Sequence, residues 1–235
     1  SNVSETPIKT FTVGFEGGSE FDETSLARLV SQRYKTDHET ILLSSNVRDL
    51  LPKVVDAYDE PFGDPSALPT FAVSMAASKK VTVVLNGEGA DELFWGYDSW
   101  RQWQKLQHWT SKPWTQLLSK FGIHSLDLMG KTNNRIYDAL ARSSIKKPAF
   151  WSSAQGPTRY ELDYLLGDNI KREINGLDGW TSIEPLWNRF REKSWEQSAL
   201  SWMSFVELSL RIPELLLMRV DKMSMGTSLE ARVPF

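Results

Sequence analysis

The chain has 235 residues, 40% of them hydrophobic and 24% charged, which is enough for one large globular domain or a domain with an appendage. A net charge of −3 argues against nucleic acid or an anionic membrane surface as a partner. The absence of cysteine excludes disulfides, Cys-based metal sites and thiol nucleophiles and fits the cytoplasm, and no apolar run is long enough to span a bilayer.

Lys9 to Phe15 alternates apolar with small or polar side chains and predicts a strand. Asp22 is placed to cap a helix whose apolar positions are Leu26, Leu29, Val30 and Tyr34. His38 to Leu43 reads as a second strand. Val47, Leu50, Leu51, Val54, Val55 and Tyr58 recur at helical spacing and predict a helix with Asn46 as its cap. Pro61, Gly63, Pro65 and Pro69 make Asp59 to Pro69 a loop. Thr70 to Lys79 reads as a helix. The unbroken apolar run Val81 to Leu85 then predicts a buried parallel strand. This succession implies an α/β fold, with 9–15, 38–43 and 81–85 in one parallel sheet flanked by helices.

No further strand is expected after Leu85. All ten tryptophans lie between Trp95 and Trp202, and read as core rather than as a stacking surface. Residues 133–143 and 199–210 predict helices. Breakers at Gly156-Pro157, Gly176, Gly179, Pro185 and Pro213 are expected to separate the helical segments. The expected division is an incomplete α/β core over 1–98 and a Trp-rich helical part over 99–235. His38, His108 and His124 lack metal-ligand spacing, so no zinc site is expected.

The loop after Leu85 carries the chemistry. Gly87 and Gly89 let the backbone approach a bulky anion, and N–H groups at a strand-to-helix turn favour phosphate. Glu88, Asp91 and Glu92 would repel that phosphate unless a divalent cation mediates, and Mg²⁺ suits carboxylate and phosphate oxygens together. Glu92 also reads as a helix-dipole partner. The spacing is neither that of a Walker A loop nor that of a dinucleotide fingerprint.

Leu85 to Tyr97 (LNGEGADELFWGY) resembles the L-S-G-E-G-A-D-E-x-F-x-G-Y segment of asparagine synthetases. Val220 to Met225 with Ser228 to Phe235 resembles the family's V-D-R-M-S-M-x-x-S-L-E-A-R-V-P-F, and Asp59 to Ser66 with Pro69 resembles its D-E-P-x-x-D-x-S-x-x-P. Asn86 departs from the usual serine, and Trp95 stands where glycine is common. The resemblance implies a synthetase domain of the ATP pyrophosphatase type, with an adenine nucleotide alpha-hydrolase-like fold. It implies a glutamine-hydrolysing carbon–nitrogen ligase of asparagine biosynthesis that adenylates aspartate with ATP and Mg²⁺, then forms the amide with ammonia.

The resemblance also distributes roles. Glu88 is the catalytic carboxylate. Val13, Asn86 and Gly87 bind ATP, Gly89 belongs to the phosphate loop, and Asp91 is the metal ligand. Asp64, Ser66, Asp221 and Arg232 are candidates for the substrate pocket, while Asp221, Ser224, Glu230 and Arg232 have the alternative reading of a buried Arg–carboxylate network. The family's S-G-G-x-D-S loop should precede Phe11, and residues 1–10 do not carry it. This implies a piece truncated at the first strand, inactive alone, from a larger enzyme with an N-terminal glutaminase domain. A homodimer is left open. Two alternatives stand beside this reading: an amidotransferase acting on another acid, such as a sugar uronate, and a catalytically silent binding segment.

Overall fold

The computed structural model describes residues 5–16, 22–43, 45–110, 112, 121, 123–125, 135–153, 159–174 and 179–234. They pack as two compact units, one made of residues 1–88 with 215–235 and the other of 89–214. The packing therefore divides the chain at two places rather than at a single boundary near 98. The C-terminal segment belongs with the N-terminal third because it supplies a strand and a core methionine to it.

In the first unit, β1 (Lys9–Phe15) and β2 (Asp37–Leu43) pair in parallel, in register from Lys9 with Asp37 to Phe15 with Leu43. Parallel pairing needs a crossover, and α1 (Thr24–Tyr34) supplies it. Asp22 Oδ1 accepts the Thr24 N–H at 2.9 Å, which satisfies one donor of the α1 N-terminus and lowers the Asp22 pKa. The helix expected from Asn46 begins later. A 3₁₀ turn spans Ser45–Leu50, and α2 covers Leu51–Ala57 with Pro52 in its first turn. Proline has no N–H to donate and is best tolerated at a helix start. The Asn46 side chain lies outside the described residues. α3 (Ala67–Ala77) follows the proline-rich loop.

The apolar run at 81–85 gives a shorter strand than expected, β3 (Val83–Leu85). It pairs in parallel with β4 (Glu230–Arg232), a strand the sequence reading did not anticipate, and not with β1 or β2. The expectation of one sheet holding 9–15, 38–43 and 81–85 is thereby corrected to two two-stranded parallel sheets. Burial is corrected too: Val83 and Leu85 are exposed and Val84 is half-buried. The pleat turns alternate side chains to opposite faces, and among the described residues only the Val84 face is covered. α11 (Met218–Met225) leads to β4 through a turn, and its Met223 joins Val54, Tyr58, Ala67 and Phe71 in the core of this unit.

The second unit is helical. Its elements are α4 (Ala90–Phe94), α5 (Asp98–Thr110), α6 (Arg135–Ser144), α7 (Arg159–Leu165), α8 (Asp168–Glu173), α9 (Trp180–Lys193) and α10 (Ala199–Val206). A wide π-helical segment, Glu207–Leu217, continues the chain toward α11. Pro185 and Pro213 do not separate helices. Pro185 lies inside α9 and Pro213 inside the π segment. A proline within a helix removes one ladder donor and crowds the preceding turn, and around Pro213 the chain takes the wider winding. Gly179 is the N-cap of α9, while Gly156, Pro157 and Gly176 lie outside the described residues.

Tryptophan builds the core here. Trp100, Phe150, Trp180, Ile183, Phe190, Trp202, Met203 and Val206 form one buried cluster. Trp202 meets Trp187 edge-on with ring centroids 4.8 Å apart, and its Nε1–H donates to the Phe150 carbonyl at 2.7 Å. The indole's one polar atom is thus satisfied while its rings pack. Among the described residues Trp95, Trp109 and Trp195 are exposed instead, Trp195 to 94%. No helix among the described residues is long and apolar enough to cross a membrane.

Candidate active site

The first unit gathers its charged groups around one arginine. Arg219, on α11, is buried with 7% exposure. Its guanidinium donates from Nη1 to Asp64 Oδ2 at 2.7 Å and from Nη2 to Glu88 Oε1. Asp64 comes from the proline-rich loop and Glu88 from the loop after β3, so the fork joins three segments distant in sequence. Two carboxylates on two nitrogens is the arrangement for which guanidinium geometry is suited.

Each carboxylate is fixed from a second side. Asp64 Oδ1 accepts the Ser66 N–H at 2.9 Å, a two-residue turn that shapes the entry to α3. Burial pushes the Asp64 carboxyl up, but the Ser66 N–H and the Arg219 guanidinium outweigh it and hold the pKa below its ordinary value. Burial likewise opposes the charge on Arg219, and Glu88 and Asp64 more than compensate. The Glu88 backbone is set by Asn86, whose Oδ1 accepts the Glu88 N–H at 3.0 Å, while the Asn86 N–H donates to the Arg232 carbonyl at 2.9 Å. Asn86 therefore shapes the loop with its side-chain oxygen. Glu88 keeps 24% of its side chain exposed.

The other expected residues of this unit separate. Val13 is half-buried in β1 opposite Ile41. Ser66 precedes α3 without a side-chain capping bond. Asp221 is exposed on α11, and Arg232 pairs with Glu230 at 2.7 Å on the surface. The buried network envisaged for Asp221, Ser224, Glu230 and Arg232 is not formed. The fork belongs to Arg219, which the sequence reading did not single out, although a lone arginine after the apolar run Leu215–Met218 was a signal of a paired charge.

Gly89 and Asp91 belong to the second unit. Gly89 is the N-cap of α4 with φ +87, a conformation that costs any residue with a Cβ. Gly87, by contrast, has nothing within 4 Å of where a Cβ would stand. Asp91 is exposed, and its carboxylate lies where a side chain at position 96 would be, 1.9 Å from an ideal Cβ on Gly96. Among the described residues no group of three or more His, Asp or Glu is placed to hold a metal. Asp91 offers a single exposed carboxylate there, the kind of hard oxygen donor that Mg²⁺ accepts.

Glu92 lies in the first turn of α4, where a helix-dipole partner is expected, and has further partners. It is buried, and its Oε1 accepts from Tyr97 Oη at 2.6 Å and Arg211 Nη1 at 3.2 Å. Arg211 also reaches the buried Glu207 at 3.4 Å, and Glu207 accepts the Ser153 N–H at 2.5 Å. Burial and the Glu92 carboxylate push the Tyr97 hydroxyl pKa up. Trp95 ends α4 at φ +60, a left-handed position that glycine adopts most readily, and its Nε1–H donates to Ser204 Oγ at 2.9 Å.

The asparagine synthase family model matches residues 1–235. The chain belongs to the asparagine synthase family. It is 29% identical to asparagine synthetase [glutamine-hydrolyzing] 1 of Bacillus subtilis over 97% of its own length and 34% of that protein's. It is 34% identical to putative asparagine synthetase [glutamine-hydrolyzing] 2 of Methanocaldococcus jannaschii over 76% of its length and 32% of that protein's. A putative asparagine synthetase [glutamine-hydrolyzing] of Mycobacterium tuberculosis is 29% identical over 96% of the chain. The chain spans about a third of the length of these asparagine synthase relatives. No solved structure matches it significantly.

Proposed function

We propose that the whole protein is an ATP-dependent ligase that adenylates a carboxylic acid, aspartate by default, and forms the amide with ammonia released from glutamine. The observation that carries this reading is the Arg219 fork, which fixes Glu88 at the end of β3 while leaving its carboxylate partly open. The family match over 1–235 supports it. The catalysis needs orientation and charge neutralisation rather than a protein nucleophile. Glu88 orients the acid or moves a proton as the amide forms. Val13, Asn86 and Gly87 contact the nucleotide, Gly89 shapes the phosphate loop, and Asp91 holds Mg²⁺. That ion, when bound, supplies neutralisation of the departing pyrophosphate. The remaining assignments are a nucleotide alpha-hydrolase fold for the first unit, a glutaminase domain elsewhere in the protein and a cytoplasmic location.

A second reading keeps the chemistry and changes the acid. The alternative acid is a sugar uronate. The test is pyrophosphate release by the full-length protein with ATP, Mg²⁺, glutamine and each acid in turn. Release that depends on aspartate supports the first reading, release that depends only on a larger acid supports the second, and no acid-dependent release refutes both.

A further inference from the structure

Asp91 and Glu92 are consecutive in α4 and meet opposite surroundings. Asp91 is exposed, while Glu92 is 1% exposed. A buried carboxylate is costly unless it is paired, and Glu92 is paired twice. Its Oε1 accepts from Tyr97 Oη and from Arg211 Nη1. Arg211 Nη1 also donates to Tyr97 Oη at 3.0 Å, which closes the three groups into a triangle. The guanidinium is anchored in turn by the buried Glu207 on its own helical segment. That segment, Glu207–Leu217, has the π winding that is rare in proteins and frequent at functional sites.

The triangle fixes a helix too short to fix itself. α4 has five residues, and a helix of that length is not stable alone in water. The Glu92 carbonyl accepts from Ser204 Oγ at 2.7 Å, and Ser204 Oγ accepts the Trp95 Nε1–H, so the backbone is tied as well as the side chain. Tyr97 follows Gly96, whose N–H donates to the Asp91 carbonyl at 3.0 Å. The bond from Tyr97 back to Glu92 therefore closes the turn over which the Asp91 carboxylate lies. Next to Arg211, Ile212 Cδ1 stands 3.5 Å from where a Cβ on Gly89 would be, so the same segment backs the N-cap of α4.

Resting on the reading of Asp91 as the Mg²⁺ ligand, we infer that Arg211 is a positioning residue for that ligand. Its guanidinium, through Glu92 and Tyr97, holds α4 in place and the Asp91 carboxylate with it. Arg211 gives up no proton and makes no bond to the ion. Groups that orient a metal ligand from behind govern metal affinity, typically by about ten- to a hundredfold.

The test is titration calorimetry of the full-length protein with the Mg²⁺–pyrophosphate complex, beside thermal melts and KM for the accepted acid in pyrophosphate release. Asp91→Asn and Arg211→Met should each weaken binding of the complex about tenfold or more, with KM for the acid within twofold of wild type. Arg211→Met leaves two buried carboxylates without their cation, so Tyr97→Phe is measured as well. It removes one hydrogen bond from Glu92 and no charge, and should weaken binding about threefold. Ile183→Val trims the buried cluster of the same unit away from α4; it should lower Tm and leave binding within twofold. Tyr97→Phe and a folded Arg211→Met that both bind within twofold of wild type overturn the inference, and leave Asp91 standing as the ligand. Equal losses of binding in Ile183→Val and Tyr97→Phe overturn it too, because general loosening then explains the effect. An Arg211→Met chain that does not fold leaves the decision to Tyr97→Phe. A wild type that does not bind the complex, or an Asp91→Asn protein that binds it like wild type, removes the ligand reading and this inference with it.

Discussion

Asp64 shows how a single carboxylate links the fold to solution conditions. Its pKa is held below the ordinary value of 3.8 by the Ser66 N–H and Arg219, so its stabilising contribution is complete above that value and is lost as pH falls below it. Asp64→Asn should cost about 2 kcal/mol at neutral pH, where a charged hydrogen bond is lost. The gap between wild type and variant should close as pH drops below about 4, because wild type then loses the same charge. Urea unfolding of both proteins from pH 7 to pH 3 measures this, and a gap that stays constant across the range refutes it. Glu88→Gln tests the neighbouring carboxylate. It should reduce pyrophosphate release by the full-length protein about a hundredfold, roughly 3 kcal/mol of lost transition-state stabilisation. Some loss of Tm should accompany it, since Glu88 is one of the two partners of a buried guanidinium. That coupling was not legible in the sequence. Nothing in the local pattern around Glu88 indicates a partner 131 residues further along the chain.

At the scale of elements, the glycines of the loop after β3 have different reasons to be glycine. Gly87 has open space around it and no positive φ, so Gly87→Ala should leave Tm within 2 °C of wild type. If nucleotide approaches that backbone, the same change should raise KM for ATP severalfold. An unchanged KM would falsify the nucleotide role of Gly87. Gly89→Ala should instead destabilise, by about 1–2 kcal/mol, because its φ of +87 is strained for any L side chain. Thermal melts of the two variants side by side separate the cases. Gly96→Ala displaces the Asp91 carboxylate and should weaken the Mg²⁺ dependence of turnover more than it lowers Tm.

The elements also show what a sequence reveals. β1 was legible from its alternation, and β2 and α3 in outline, although α3 starts at Ala67 rather than Thr70 and takes Pro69 into its first turn, where proline is tolerated. β4 was not, since three residues at Glu230–Arg232 carry no periodicity and form a strand only beside β3. The late start of α2 was written in Pro52, whose position outranks the apolar spacing that suggested a longer helix.

For the whole molecule, the chain crosses between its two compact units twice, near 88 and near 214. The first unit is completed by the last twenty-one residues, Leu215 to Phe235, which bring Arg219, Met223 and β4. The family motifs near both ends of the chain were therefore the legible part of the site, and the arginine that joins them through side chains was not. The distribution of indoles has an optical consequence. Every tryptophan lies within 95–202, inside the second unit, and the first unit has none. Intrinsic emission excited at 295 nm is then a private signal of one half of the molecule, while far-ultraviolet ellipticity sums over both. A protein that melts in one cooperative step will give superimposable curves with the two probes. One whose Arg219-centred half loosens first will lose ellipticity while its fluorescence holds, with no label attached.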